Sequence, residues 1–287
     1  MSEISVFFLH GLAYAGLLFL VSAGLTLVFG MMNVLNFAHA AMYMLGAYFS
    51  YTLMLHTGGQ LWLPMILCPL ALFVIGALTE RFLLRRVHVY GHVSELLLTF
   101  GLAYVITELV KWYWGNYPLS VNISGFLGET VQLLGITYPV YRIFVFACGA
   151  LVAIILALIL QKTRLGIVIR AAVNDNEMVD ALGINVPLVF MGVFAFGTAL
   201  SGFAGVIAGP LLSTYPGMAN DILVDAFVVI VVGGFGSLAG AVIASLLIGE
   251  LQSFGVLLIP KLSIALVYLL MVIVLIVKPS GLFGEEQ

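Results

Sequence analysis

Apolar and polar positions along this chain separate into long blocks. Apolar runs cover 4–29, 38–57, 61–83, 94–114, 138–160, 186–209, 222–234, 238–259 and 262–277, with polar breaks between them. A helix needs about 20 residues to cross roughly 30 Å of hydrocarbon, and most of these runs reach that length. A lipid-spanning barrel would need strands that alternate polar and apolar residues, and the run from Phe144 to Leu160 does not alternate. Lipid offers the backbone no hydrogen-bond partner. The pattern therefore predicts an all-α fold, a polytopic helical transmembrane bundle of about eight or nine spans. The second and seventh runs are short or interrupted and read either as full crossings or as broken, re-entrant helices.

The breaks between runs carry the orientation. Arg81, Arg85 and Arg86 fall in one loop, Lys162, Arg164 and Arg170 in another, and Lys278 follows the last span. Basic loops face the cytoplasm. Nine spans put these seven residues inside and leave Lys111, Arg142 and Lys261 outside, with the N-terminus out and the C-terminus in. The two longest polar stretches then fall on opposite sides. Residues 115–137, outside, are rich in turn formers such as Asn116, Pro118, Asn122, Gly125 and Gly128 and predict a short surface helix or hairpin. Residues 161–185, inside, predict a helix from Ile169 to Leu182 that stops at Gly183. The N-terminus has no basic region and carries Glu3, so it reads as a first span and not as a signal peptide.

Composition agrees: 63% of residues are hydrophobic and 8% charged, against roughly 25% charged in a soluble domain. The chain reads as a single transmembrane domain over residues 1–287. Cys68 and Cys148 lie inside apolar runs, where a thiol acts as a small hydrophobe. His88 and His92 have i,i+4 spacing, but only Glu95 lies near them, which is too few ligands for a metal site.

The glycines divide into two groups. Gly197, Gly202, Gly205 and Gly209 form a small-residue stripe of the kind that lets membrane helices approach closely. Gly233, Gly234, Gly236 and Gly240 crowd one stretch and predict a broken helix beside a cavity. A Gly-rich first span followed by Asn36-Phe37-Ala38-His39 resembles a Gly-rich sixth span followed by Gly233-Gly234-Phe235-Gly236. Because the two run in opposite directions, an inverted repeat is one reading, and the general likeness of Gly-rich membrane helices is the other.

Charge inside apolar sequence is costly, at least about 2.5 kcal/mol each near the membrane centre. Glu250 lies about halfway through its span, and Asp221 and Asp225 sit one turn apart near the outer end of theirs. Glu108 has Lys111 three residues on as a partner. His39 reads as a cap or brace for a helix more than as a proton relay. No Gly-x-x-x-x-Gly-Lys-Ser/Thr occurs, so the chain has no phosphate-binding loop of its own.

Four blocks in order carry a family resemblance. The first is Gly24 to Gly30 with Val34-Leu35-Asn36-Phe37-Ala38-His39 and Met44-Leu45-Gly46-Ala47-Tyr48. The second is Thr163-Arg164-Leu165-Gly166, Arg170-Ala171-Ala172, Asn174 and Ala181-Leu182-Gly183-Ile184-Asn185. The third is Gly233-Gly234-Phe235-Gly236-Ser237 with Gly240-Ala241, and the last runs from Lys278 to Gly284. With these blocks the chain resembles the permease subunits of branched-chain amino acid ABC importers over nearly its whole length. It departs from the family at Ala40, where glycine is usual after the histidine.

The resemblance implies a permease of the bacterial inner membrane; with the basic loops inside, its N-terminus would be periplasmic and its C-terminus cytoplasmic. It implies two ABC ATPase subunits that bind the ATP and magnesium, a second permease subunit, and a periplasmic substrate-binding protein. No cofactor is expected in this chain, no catalytic residue, and no nucleic-acid partner. Residues 161–185 then resemble a cytoplasmic coupling loop and 115–137 become a periplasmic loop. A short helix from Arg170 to Gly183 would dock on the ATPase through Asn174, Asp175, Asn176 and Glu177, with Met178, Ala181 and Leu182 packing into a groove or back onto the bundle. Without the resemblance, a solvated amphipathic loop is the simpler reading. The pathway would run around Asn36, His39, Gly233, Gly234 and Gly236, an apolar conduit whose selectivity rests with the binding protein. An ion-coupled secondary transporter of small amino acids, using Asp221, Asp225 and Glu250, is the alternative.

Overall fold

In a computed structural model, which describes residues 2–133 and 135–284, nine long helices follow the nine apolar runs. They are α1 (Ser2–Met32), α2 (Ala38–His56), α3 (Trp62–Thr79), α4 (His92–Trp114), α5 (Val140–Lys162), α8 (Val186–Leu212), α9 (Met218–Gly233), α10 (Leu238–Leu258) and α11 (Ser263–Val277). Two shorter helices, α6 (Arg164–Asn174) and α7 (Asn176–Ala181), lie between α5 and α8. Among the described residues, seven helices are long and apolar enough to cross a membrane. The two that fall short are α2 and α9, the second and seventh runs of the sequence. Helix α2 is diluted by polar and aromatic residues, and α9 has 16 residues, about 24 Å at 1.5 Å per residue.

Helix α1 is the hub, and its glycines explain why. Gly16 lies against the backbone of Phe146 and Gly149 in α5, Gly24 against Gly197 in α8, and Gly30 against Gly236, just before α10. Gly11 faces Glu250 in α10. Removing the side chain at each of these points brings a different neighbour to backbone contact, which gives tight packing where lipid supplies no hydrophobic drive between helices. The stripe on α8 works the same way over three neighbours: Gly197 meets α1, Gly202 meets Leu72 of α3, and Gly205 meets the Tyr43 carbonyl of α2. The packing reading of that stripe holds.

At one end of the bundle the 115–137 stretch forms a hairpin of β1 (Thr130–Leu133) and β2 (Ile136–Pro139), paired antiparallel with Val131 opposite Tyr138. Leu119 exchanges two backbone hydrogen bonds of 2.8 Å with Thr214, tying this stretch to the α8–α9 connection. At the opposite end, Met31, Met32, Val34, Leu84, Ala172, Val179, Val186 and Phe194 form a second, smaller core that seats α6 and α7 on the bundle. The Glu108–Lys111 pair forms as expected, at 2.7 Å.

Candidate translocation and coupling surfaces

The chain is broken twice at the α6–α7 end. Between α1 and α2, Asn33 takes a left-handed conformation (φ 51°) and residues 33–36 leave the helix. Thr99 of α4 stitches the break: its hydroxyl accepts from the Phe37 amide at 3.3 Å. Asn36 is 3% exposed and its amide oxygen has no partner among the described residues. His39 is 1% exposed; its Nε2 donates to the Val21 carbonyl of α1 at 3.0 Å, and Ser201 of α8 donates to its backbone carbonyl at 2.6 Å. His39 thus braces three helices.

The second break lies between α9 and α10. Gly233 packs on Gly240, and Gly234 (φ 100°) turns the chain out of the helix. The sequence predicts a broken helix here, and the helix ends at Gly233 and restarts at Leu238. The C-terminal stretch folds back, with the Leu282 amide donating to Val232 O at 2.9 Å and the Phe283 amide to Gly233 O at 3.0 Å. A Cβ on Gly234 would lie 2.3 Å from the Gly284 nitrogen. The third and fourth sequence blocks are therefore partners: the last carbonyls of α9, which lack helical acceptors' usual donors, are satisfied by the Lys278–Gly284 turn. That relation has no local sequence signal.

The two breaks meet. Gly30 packs on Gly236, and the rings of Phe29 and Phe235 stand 4.5 Å apart. Asn36, His39, Gly233 and Gly234 are thus buried around this meeting point, whereas Gly236 is exposed. Two cavities lie elsewhere. One, about 640 Å³, is an apolar groove between α2, α3 and α4 lined by Phe49, Leu67, Ile106 and Trp114. The other, about 340 Å³, lies under α7, between Met32, Glu80, Arg85, Phe190, Glu177 and Asp180. Sequence reasoning passed over its buried acid. Glu80, 3% exposed, begins a π turn (Glu80–Leu84) that extends α3 and is clamped by Arg85 at 2.8 Å and 3.1 Å, while Arg85 also holds the Pro187 carbonyl. His88 and His92 both engage the buried Glu95, and no cluster of metal-ligating side chains occurs among the described residues.

The predicted coupling helix is two helices. Asp175 leaves the helical region (φ −155°, ψ 95°) and its carboxylate accepts from the Met178 amide at 2.9 Å. An aspartate at this position serves an N-cap better than a helix interior, so α6 ends and α7 begins there. The correction matters because Asn174 closes α6 while Asn176, Glu177 and Met178 belong to α7. Ala172 and Val179 anchor the corner inward. Asn174, Asp175, Asn176 and Glu177 are exposed, as are Met178 (58%), Leu182 (73%), Leu165 and Ile167. Arg170 reaches back to the Leu160 carbonyl at the end of α5, and Gly183 (φ 86°) ends α7.

Comparison with known proteins fits this architecture. Residues 7–275 match the family described as branched-chain amino acid transport system / permease component. The chain belongs to that family. Relatives include the high-affinity branched-chain amino acid transport system permease proteins BraD of Pseudomonas aeruginosa, 26% identical over 97% of this chain and 95% of the relative, and LivH of Escherichia coli K12, 26% identical over 100% and 99%. The xylose/arabinose import permease protein XylH of Sulfolobus acidocaldarius is 30% identical over 55% of this chain and 45% of its own length. No solved structure matches significantly. As a permease component the chain is a multi-pass membrane protein and not a catalytic enzyme.

Proposed function

We propose that the chain is the membrane-spanning subunit of an ATP-driven, binding-protein-dependent importer that carries branched-chain or related amino acids across the bacterial inner membrane. Family membership over residues 7–275 is the observation that carries this reading. The partners are two ABC ATPase subunits, which bind ATP and magnesium, a second permease subunit and a periplasmic binding protein. ATP hydrolysis belongs to the ATPases, because this chain has no phosphate-binding loop. The basic loops put the α6–α7 corner in the cytoplasm, with the N-terminus periplasmic and the C-terminus cytoplasmic.

The coupling surface is the α6–α7 corner. Its exposed apolar side chains, Met178 and Leu182, are out of place in a merely solvated loop and suit burial in a groove of the ATPase, with Asn174, Asn176 and Glu177 around them. Val179 and Ala172 transmit a push on the corner to the ends of α1 and α8. The Gly30–Gly236 contact, backed by His39, is the seam along which the bundle rocks, and Asn36, Gly233 and Gly234 line it. The test is leucine uptake by proteoliposomes that hold the permease pair and ATPases, with loaded binding protein outside. Uptake that needs ATP supports the reading. Uptake driven by a sodium or proton gradient without ATP refutes it in favour of a secondary transporter.

A further inference from the structure

The turn at the end of α3 sets a charged group where a plain helix would not. Glu80 and Arg85 are five residues apart, which on an α-helix places them about 140° apart around the axis. The π turn closes that angle: the Arg85 amide donates to the Glu80 carbonyl, and the Arg85 guanidinium donates to the Glu80 carboxylate at 2.8 Å and 3.1 Å. Single π turns within helices occur frequently at functional sites. A buried ion pair is weak evidence for stability, so holding the fold is not a sufficient reason for the distortion. Its result is that Arg85 stands at the wall of the cavity of about 340 Å³ under α7. Of the five guanidinium N–H donors, two serve Glu80 and one the Pro187 carbonyl. The two on Nη1 have no acceptor among the described residues.

The rest of the cavity supplies two further kinds of surface. Its floor is apolar, with Met32, Leu84 and Val186 buried and Phe190 partly buried. Its mouth is formed by Asn176, Glu177 and Asp180 of α7, all exposed. Arg85 offsets the charge of Glu80, while Glu177 and Asp180 have no cationic partner among the described residues, so the mouth is negative. His88, on the same wall, is engaged with Glu95. Helix α7 thus has two faces: Asn176, Glu177 and Asp180 border the cavity, whereas Met178 and Leu182 lie outside it. A small-molecule site is typically a cleft of about 300–1,000 Å³, mostly apolar with a few placed polar groups. This cavity has that make-up, at the small end of the range.

We propose that this cavity is a regulatory site for a zwitterionic α-amino acid with an apolar side chain, entered from the cytoplasm. The Nη1 donors of Arg85 take the ligand carboxylate, and Glu177 and Asp180 take the ammonium group, which carries three N–H donors and no acceptor. The side chain lies on Met32, Val186 and Phe190. The site rests on the importer reading, which puts this end of the bundle in the cytoplasm and makes the cargo a member of the same chemical class. A ligand held by α7 on one side and by the π turn on the other favours the spacing seen here over any in which a pushed corner moves α7 against the bundle, because a ligand shifts an equilibrium by its differential affinity for the two states. Cargo accumulated in the cytoplasm therefore slows its own import.

The experiment uses the complete transporter in proteoliposomes, with loaded binding protein outside and ATP inside, and measures the initial rate of labelled leucine uptake with and without unlabelled amino acid sealed inside. Each complex is compared with its own rate in the absence of internal amino acid. Internal leucine at millimolar concentration is expected to slow uptake several-fold, whereas leucinol, which lacks the carboxylate, and isocaproate, which lacks the ammonium group, are expected to leave the rate unchanged. Asp180→Asn removes a charge at the exposed mouth, and Arg85→Lys keeps a cation for Glu80 while losing the Nη1 donors. Each is expected to relieve most of the inhibition. Inhibition of equal size in the assembled variants overturns the site and assigns the effect to product rebinding in the pathway. Should neither variant assemble, the analogues decide: leucinol or isocaproate as effective as leucine overturns the site. Uptake indifferent to internal leucine also overturns it, and in each of these cases the importer reading stands. An unsubstituted complex with no ATP-driven uptake of any amino acid overturns that reading and the regulatory site with it.

Discussion

Replacing Met178 and Leu182 together by aspartate tests the coupling corner most directly, because the structure separates the surface from its anchor. Met178 is 58% and Leu182 73% exposed, so neither supports the fold, whereas Val179 between them is 4% exposed and does. Fully burying a Met or Leu side chain stabilises by about 1.5–3 kcal/mol. Burying the fraction still exposed here is therefore worth roughly 1–2 kcal/mol for each, or about 2–4 kcal/mol for the pair. Loss of that contact weakens ATPase docking about thirty- to several-hundred-fold, since each 1.4 kcal/mol is a factor of ten. A carboxylate forced into the same groove adds its desolvation to the loss. The assay is co-purification of ATPase with tagged permease, together with ATP hydrolysis stimulated by loaded binding protein. The double variant is expected at normal abundance in the membrane with ATPase lost from it. Val179→Asp is expected to reduce the abundance of the permease itself. If the double variant binds ATPase and responds to loaded binding protein as the unsubstituted chain does, the corner is only a loop and coupling runs elsewhere.

Other expectations follow from particular contacts. A reporter placed after Gly91 or within 171–180 is expected to face the cytoplasm, and one within 120–130 the periplasm; a periplasmic signal from 171–180 refutes the orientation argued from basic residues. Gly205→Ala puts a Cβ 1.9 Å from the Tyr43 carbonyl oxygen, where backbone has to move. It is expected to cost at least about 1–3 kcal/mol, the usual range for overpacking, read as a lower melting temperature in detergent. Gly101→Ala meets nothing within 4 Å on the surface of α4 and is expected to be neutral or stabilising by up to about 1 kcal/mol; equal behaviour of the two variants refutes the α2–α8 contact. Gly234→Leu is expected to block uptake by expelling the Lys278–Gly284 turn. A chain truncated after Val277 should then show the same defect, and normal uptake by the truncated chain would deny the turn its role.

Much of the fold follows from the sequence alone, because lipid restricts the backbone to few solutions. Apolar run length gives the nine helices, and even the two exceptional ones, α2 and α9, are marked by polarity or shortness. The packing glycines are visible too, although not the partner that each one meets. The coupling corner is legible as a polar segment with helical pattern, but its division at Asp175 depends on one side chain choosing to cap the next helix, a local competition that periodicity does not register. What the tertiary structure alone decides is which distant segments share a place. The turn at Lys278–Gly284 closes the end of α9 from some 50 residues away, Arg85, already paired with Glu80, finds the Pro187 carbonyl at the start of α8, and Tyr14 of α1 comes to Asp225 of α9. Such pairings are set by the close approach of helix backbones in three dimensions, and any single stretch of chain contains only one side of each.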